Sequence, residues 1–299
     1  MSHYYIGTAG WSYKDWEGIV YPPKKRPGFH ALIYLTRFIN TIEINSTFYR
    51  VPVHGISLSW VRKVEDQKDF IFIVKLHQNF THERKIFTQK DVYDFTQGIE
   101  PLYSNNRLGA ILMQFPWSFR YNSENIEHLK GLFGSFSNFP LALEVRHGSW
   151  NRDDFFDFLR NYNISFCNID QPVIGDSLKP TAISTTTQFS YVRLHGRNYR
   201  SWFKKDAGRD ERYNYLYDLS ELDEWVKKIK ELGNKSNKVF VITNNHYRGQ
   251  ALTNALQIKN LLTGEKLYLP DNLLIQYPEL KDILKEKEKE QPGLFEDKD

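Results

Sequence analysis

Residues 141–169 read LALEVRHGSWNRDDFFDFLRNYNISFCNI, and their pattern is strand, helix, strand. Leu141–Val145 is a short apolar run that ends in charge, at Glu144, Arg146 and His147. Asp153–Asn161 places apolar residues at helical spacing, and Ile164–Ile169 returns to a β-branched and aromatic run. The connection is far longer than a hairpin and suits a parallel crossover.

The same unit recurs on both sides. Strand-like runs fall at Tyr4–Thr8, Thr41–Ile44, Phe70–Leu76, Leu108–Gln114, Phe189–Leu194 and Val239–Thr243. Their starts are 23 to 50 residues apart, against roughly 31 per unit in a barrel of eight strands and eight helices. Amphipathic stretches lie between them at Phe29–Phe38, Asp91–Tyr103, Asn122–Phe133, Ser220–Leu232 and Gln250–Leu262. Ser220 reads as a helix N-cap, with Gly233 and Gly264 as stops. The expected fold is α/β: a (β/α)8 TIM-type barrel of parallel strands, with an inserted segment, Arg197–Tyr217, after the seventh strand. Thr181–Ser184 is an extra short strand or loop. The expected organisation is one barrel domain over 1–278, followed by a charged tail over 279–299.

Composition agrees with a globular chain. Of 299 residues, 40% are hydrophobic, 25% charged and 15% aromatic, which excludes a disordered polymer. A net charge of +4 permits an anionic partner without demanding one. The single cysteine, Cys167, excludes a disulfide framework and a cysteine metal cluster, and its place within a strand reads as core. No secretory leader and no apolar run of membrane-spanning length is present, so the expectation is a cytoplasmic protein with no membrane partner.

In a parallel barrel, function collects beyond the C-terminal strand ends. Residues two apart share a face of a strand. Five strands end in such polar pairs: Glu43 with Asn45, Lys75 with His77, Glu144 with Arg146, Asn168 with Asp170, and Arg193 with His195. If those faces point inward, the mouth gathers carboxylates, a lysine, arginines and histidine. The residues expected to do chemistry are Glu43, Lys75, Glu144, Asp170 and His195. Paired carboxylates suit acid and base roles, and a desolvated lysine can bind an anion or act as a nucleophile. Trp11, Tyr13, Asn45, Tyr49, Arg146, Arg193, Asn244 and Asn245 are expected to position a ligand, the arginines by bidentate recognition of phosphate or carboxylate. Glu43, Glu144, Asp170 and His195 also have the chemistry of metal ligands, but no compact ligand motif supports a metal, and none is assigned. Phosphate-loop, dinucleotide, nucleophile-elbow and zinc-protease signatures are absent.

The Arg197–Tyr217 insertion interleaves Arg197, Arg200, Lys204, Lys205, Arg209 and Arg212 with Tyr199, Trp202, Phe203, Tyr213, Tyr215 and Tyr217. Two readings stand: a lid whose aromatics pack on the barrel rim, or a surface for single-stranded nucleic acid. The tail residues Gln291, Leu294 and Phe295 resemble the short peptide that docks on DNA sliding clamps.

Several of these segments together carry a resemblance to a known family. Ile6–Tyr13, Glu43–Tyr49, Gln114-Phe115-Pro116, Glu144–His147 with Trp150, Arg193–Gly196, and Asn244–His246 with Gly249, Ala251, Asn254 and Ala255 resemble the YecE-like family, domain of unknown function seventy-two. The likeness runs in order from about residue 4 to 262, with Ala9 where the family often has Ser. The resemblance implies a TIM-type barrel and a prokaryotic cytoplasmic protein, and it implies no particular reaction or cofactor. From the polar strand ends themselves, the expected function is an enzyme acting at the barrel mouth by acid/base chemistry on an anionic, phosphate-bearing small molecule such as a sugar phosphate or nucleotide. The alternative is a nucleic-acid-associated binding module.

Overall fold

A computed structural model of the chain describes residues 2–83, 87–204, 206 and 208–286. Eight strands close into a barrel in sequence order: β1 (His3–Ala9), β2 (Thr41–Ile44), β3 (Ile71–Lys75), β4 (Leu108–Gln114), β5 (Leu141–Glu144), β6 (Ser165–Asp170), β7 (Ser190–Leu194) and β8 (Lys238–Thr243). Every neighbouring pair is parallel, and β8 pairs back to β1. β2, β5, β6 and β7 are buried at every position, as expected when one strand face meets the barrel interior and the other meets helices. Gly7 is required at the seam between β1 and β2, because a Cβ there would lie 1.7 Å from the Thr41 carbonyl oxygen.

The connecting helices are α1 (Ala31–Leu35), α2 (Ser46–Tyr49), α3 (His54–Lys63), α4 (Gln89–Ser104), α5 (Ser123–Ser135), α6 (Asp153–Asn161), α7 (Arg209–Arg212), α8 (Leu219–Gly233), α9 (Gln250–Thr263) and α10 (Asp271–Gln276). The sixth unit departs from the repeat, since residues 171–189 reach β7 without a helix or strand. Side chains replace the missing backbone partners there. Thr185 Oγ1 donates to the Ile164 carbonyl and accepts from the Phe166 N–H, and Asn168 Oδ1 accepts from the Ile183 N–H.

The N-cap of α8 is Asp218 rather than Ser220. Asp218 accepts from the Glu221 N–H while Glu221 accepts from the Asp218 N–H, a reciprocal cap that Ser220 is placed too late to form. Gly264 ends α9 in the left-handed region, at φ 72°. Beyond α10, Leu280 and Ile283 are buried and the Lys285 N–H donates to the Leu267 carbonyl, so the chain past residue 279 still lies against the body. Gln291, Leu294 and Phe295 lie outside the described residues. Among the described residues no helix is long and apolar enough to cross a membrane.

Candidate active site

The register decides which polar strand ends point inward. Cys167 pairs with Tyr191, and Ile169 with Arg193. The Tyr191 hydroxyl donates to Glu43 Oε2 across the barrel at 2.9 Å, so Tyr191 and its register partner Cys167 both face inward. Asn168 and Asp170 are each an odd step from Cys167 and therefore face outward.

Six polar strand-end residues meet on the inner face. Arg193 holds Glu43 with two bonds, Nε to Oε2 at 2.8 Å and one terminal amine to Oε1 at 2.6 Å. Its other terminal amine donates to Glu144 Oε2 at 2.7 Å. Arg146 Nε donates to Glu144 Oε1 at 2.9 Å, and His195 Nε2 lies 3.1 Å from the same oxygen. Asn244 Nδ2 donates to His195 Nδ1 at 3.0 Å, which leaves the imidazole proton on Nε2 for Glu144. Both carboxylates and the Arg193 side chain are fully buried or nearly so.

The electrostatics follow from this geometry. Burial works against ionisation of Glu144, but Arg193, His195 and Arg146 outweigh it and hold the carboxyl well below the usual range. Burial pushes His195 down to about 3, so the ring is neutral near pH 7. Glu144 is thus a permanent anion that orients two arginines, and His195 is a neutral donor that orients Glu144. Burial pushes the Cys167 thiol well above its ordinary value, in keeping with a core role.

Above this floor opens a cavity of about 510 Å³. Its walls include Trp11, Tyr13, Asn45, Tyr49, Lys75, Arg146, Arg193 and Asn244, all of which the sequence placed there. Gly10, Ser12, Ser46, Gln114, Arg212, Tyr213 and His246 complete the lining. The Tyr13 ring stacks on His246, with centroids 4.4 Å apart. Glu43, Glu144 and His195 support the floor without lining the cavity.

The segment after β2 shapes one wall residue by residue. Asn45 and Ser46 line the cavity. Thr47 Oγ1 donates to the Lys75 carbonyl at 2.6 Å and pins β3 to α2. Phe48 lays its ring beneath the Lys75 amine, 4.0 Å from Nζ, and Tyr49 forms the exposed rim. Lys75 Nζ has neither a hydrogen bond nor an ion pair among the described residues. Burial, with Arg193 nearby, pushes this amine down to about 7, against the opposing pull of Glu43 and Glu144.

The structure does not bring Asp170 or Asn245 to the mouth. Asp170 points between the strands and α8, where Trp225 Nε1 donates to Oδ2 at 2.8 Å and Arg197 Nε reaches both oxygens. Burial raises its carboxyl, and the Arg197 bonds oppose the rise. Asn245 Nδ2 donates to the Tyr215 carbonyl and to Asn254 Oδ1. Both residues anchor the insertion. His77 stays local, accepting from the Asn79 N–H.

The insertion folds down onto the barrel. Tyr217 and Trp202 are buried, Tyr215 is half-buried, and Arg197 is engaged by Asp170 and Glu221. Tyr199 and Phe203 remain outside, each about half exposed. A φ of 90° at Gly196, with Tyr215 Cβ 2.8 Å from where its own Cβ would stand, turns the chain into this segment. Arg212 and Tyr213 bring it to the cavity wall.

Among the missed residues, Tyr191 was within reach by parity, standing two positions before Arg193. Arg212 and Tyr213 belonged to a segment noted only for its composition, which says nothing of which members face the mouth. Among the described residues no three His, Cys, Asp or Glu side chains are grouped as a metal site would need.

A family profile described as "Protein of unknown function DUF72" matches residues 5–274. The chain belongs to this family. The Bacillus subtilis UPF0759 protein YunF is 32% identical over 274 residues, covering 87% of this chain and 95% of its own. The Escherichia coli UPF0759 protein YecE is 30% identical over 146 residues, 48% of each chain. A crystal structure of a DUF72 family protein from Thermotoga maritima is 37% identical, with a TM-score of 0.77, and covers 87% of this chain and 99% of that one. A DUF72 structure from Enterococcus faecalis, 24% identical, has a TM-score of 0.76 and shares the fold.

Proposed function

We propose that the barrel mouth is an enzyme active site for a small anionic molecule, one that carries a phosphate. A single observation carries the reading. The cavity wall contains Lys75, Arg146, Arg193 and Arg212, and among the described residues no carboxylate lines it. Glu43 and Glu144 lie behind the arginines and are saturated by them. The ligand therefore meets the cationic face of each pair. Arg146 places only Nε on Glu144, so its terminal amines are available to an oxyanion in the bidentate geometry that guanidinium favours.

The division of labour differs from simple carboxylate catalysis. Glu144 is held as an anion and His195 as a neutral ring, so neither changes protonation near pH 7. Lys75 does, because its amine sits at about 7. Lys75 is thus the group of the three whose protonation changes near pH 7, with Asn45, Gln114 and Asn244 as neutral hydrogen-bonding groups lining the same cavity. The insertion, with Trp202 and Tyr217 buried and Tyr213 in the cavity wall, serves as a cover for this site.

Calorimetric titration with inorganic phosphate and with glycerol 3-phosphate tests the reading. Binding is expected, and Arg146→Met should weaken it about tenfold, the value of a charge-assisted contact. Absence of binding, or an Arg146→Met protein that binds as well as the wild type, sinks it.

A further inference from the structure

We propose that Lys75 is a nucleophile that forms an imine with the carbonyl carbon of an anionic aldehyde or ketone held in the barrel mouth. The proposal rests on the anion-binding reading of the mouth and names the substrate class within it.

Three observations carry it. Lys75 Nζ has no hydrogen-bond or ion-pair partner among the described residues, although two buried carboxylates stand in the same barrel. Those carboxylates are committed elsewhere, Glu43 to Arg193 and Tyr191, and Glu144 to Arg193, Arg146 and His195. A lysine retained only to neutralise those carboxylates would be paired with one of them, whereas Lys75 stands half-buried at the cavity wall. The amine is also shielded on one side by the Phe48 ring, 4.0 Å away, while the other side opens on the cavity. Finally, Arg146 lines that same cavity with its terminal amines uncommitted, so an anionic group bound on it places the rest of the molecule in the cavity that Lys75 also lines. An amine whose proton affinity is lowered beside arginines is in part unprotonated at physiological pH, the environment that activates lysines for imine chemistry.

The step balances without a cofactor. The Nζ lone pair attacks the carbonyl carbon and the C=O π pair moves to oxygen, giving a carbinolamine after proton transfer from nitrogen to oxygen. The oxygen then leaves as water, having taken both hydrogens of the amine, as the C=N bond forms. Nothing is oxidised or reduced. Asn45 and Gln114 line the cavity beside Lys75 and can hydrogen-bond the carbinolamine hydroxyl.

Reductive trapping tests the proposal on the full-length protein. The protein is incubated at pH 7.5 with glyceraldehyde 3-phosphate and sodium cyanoborohydride, whose hydride reduces the imine carbon to a stable secondary amine, and the adduct is mapped by peptide mass spectrometry. Lys75 is expected to label at least about tenfold faster than the average lysine, and saturating glycerol 3-phosphate, which has no carbonyl, should suppress that labelling. Lys75→Arg keeps the cation and should lose the preferred adduct. Labelling spread evenly over the lysines, in a protein that still binds glycerol 3-phosphate, overturns the imine proposal and leaves the anion site standing. Failure of glycerol 3-phosphate to bind overturns both.

Discussion

Two arginine–carboxylate assemblies stand on opposite faces of adjacent strands. On the inner face, Arg193 of β7 joins Glu43 and Glu144 and forms the floor of an open cavity. On the outer face, Asp170 of β6 meets Arg197 and Trp225 and closes the insertion onto α8. The chemistry is the same, but the space in front is different. Arg193 and Arg146 of the inner assembly line the cavity, whereas Arg197 of the outer one lies away from it, held by Asp170 and Glu221. Charge at a strand end thus marks a candidate site only where the fold leaves room beside it.

The largest expected break in this comparison comes from Arg193→Met. It leaves two carboxylates buried without their shared cation, and removing one partner of a buried pair costs about 3–5 kcal/mol. Urea denaturation should show that loss, together with loss of phosphate binding. An unfolding free energy within 1 kcal/mol of wild type, taking about 1 kcal/mol as the scale of an ordinary substitution, contradicts a shared cation.

Asp170→Asn should do less. Arg197 keeps Glu221 and the Trp225 indole keeps an acceptor, so the expected loss is about 1.5–3 kcal/mol, the range for hydrogen bonds to charged groups. Phosphate affinity should stay within about twofold, an effect too small to resolve as a contact. A tenfold fall in affinity would erase the inner and outer distinction.

The smallest effect sharpens the inner site alone. Acylation of Lys75 should rise with pH through a midpoint of about 7, because burial and Arg193 lower its proton affinity against Glu43 and Glu144, with Arg146 adding to the fall. Surface lysines should follow a midpoint near about 10.4. Rates measured by mass spectrometry between pH 6 and pH 9, a window spanning the first midpoint and not the second, separate the two populations. A Lys75 profile parallel to that of the other lysines would remove the amine from the chemistry proposed above.

The fold was legible because strand runs such as Leu141–Val145 and Leu108–Gln114 recur at barrel spacing with amphipathic segments between them. The helix-free sixth crossover was not, because its side-chain bonds from Thr185 and Asn168 replace a ladder without leaving a pattern. At the site, period-two pairing found Glu43, Glu144, Arg146 and Arg193. The same rule misdirected Asp170, since every residue of β6 is buried and alternation then gives parity without direction. The insertion showed its composition but not which members turn inward, since Tyr213 and Tyr199 look alike in sequence yet only Tyr213 lines the cavity.

Glu221 carries a consequence for motion. One of its oxygens completes the N-terminal cap of α8, and the other receives Arg197 and the Tyr215 hydroxyl from the insertion. Detaching the insertion would therefore strip donors from the residue that starts the helix. In hydrogen–deuterium exchange, the amides of the first turn of α8 and those around Tyr215 should open together as one cooperative unit, slower than the exposed segment around Tyr199.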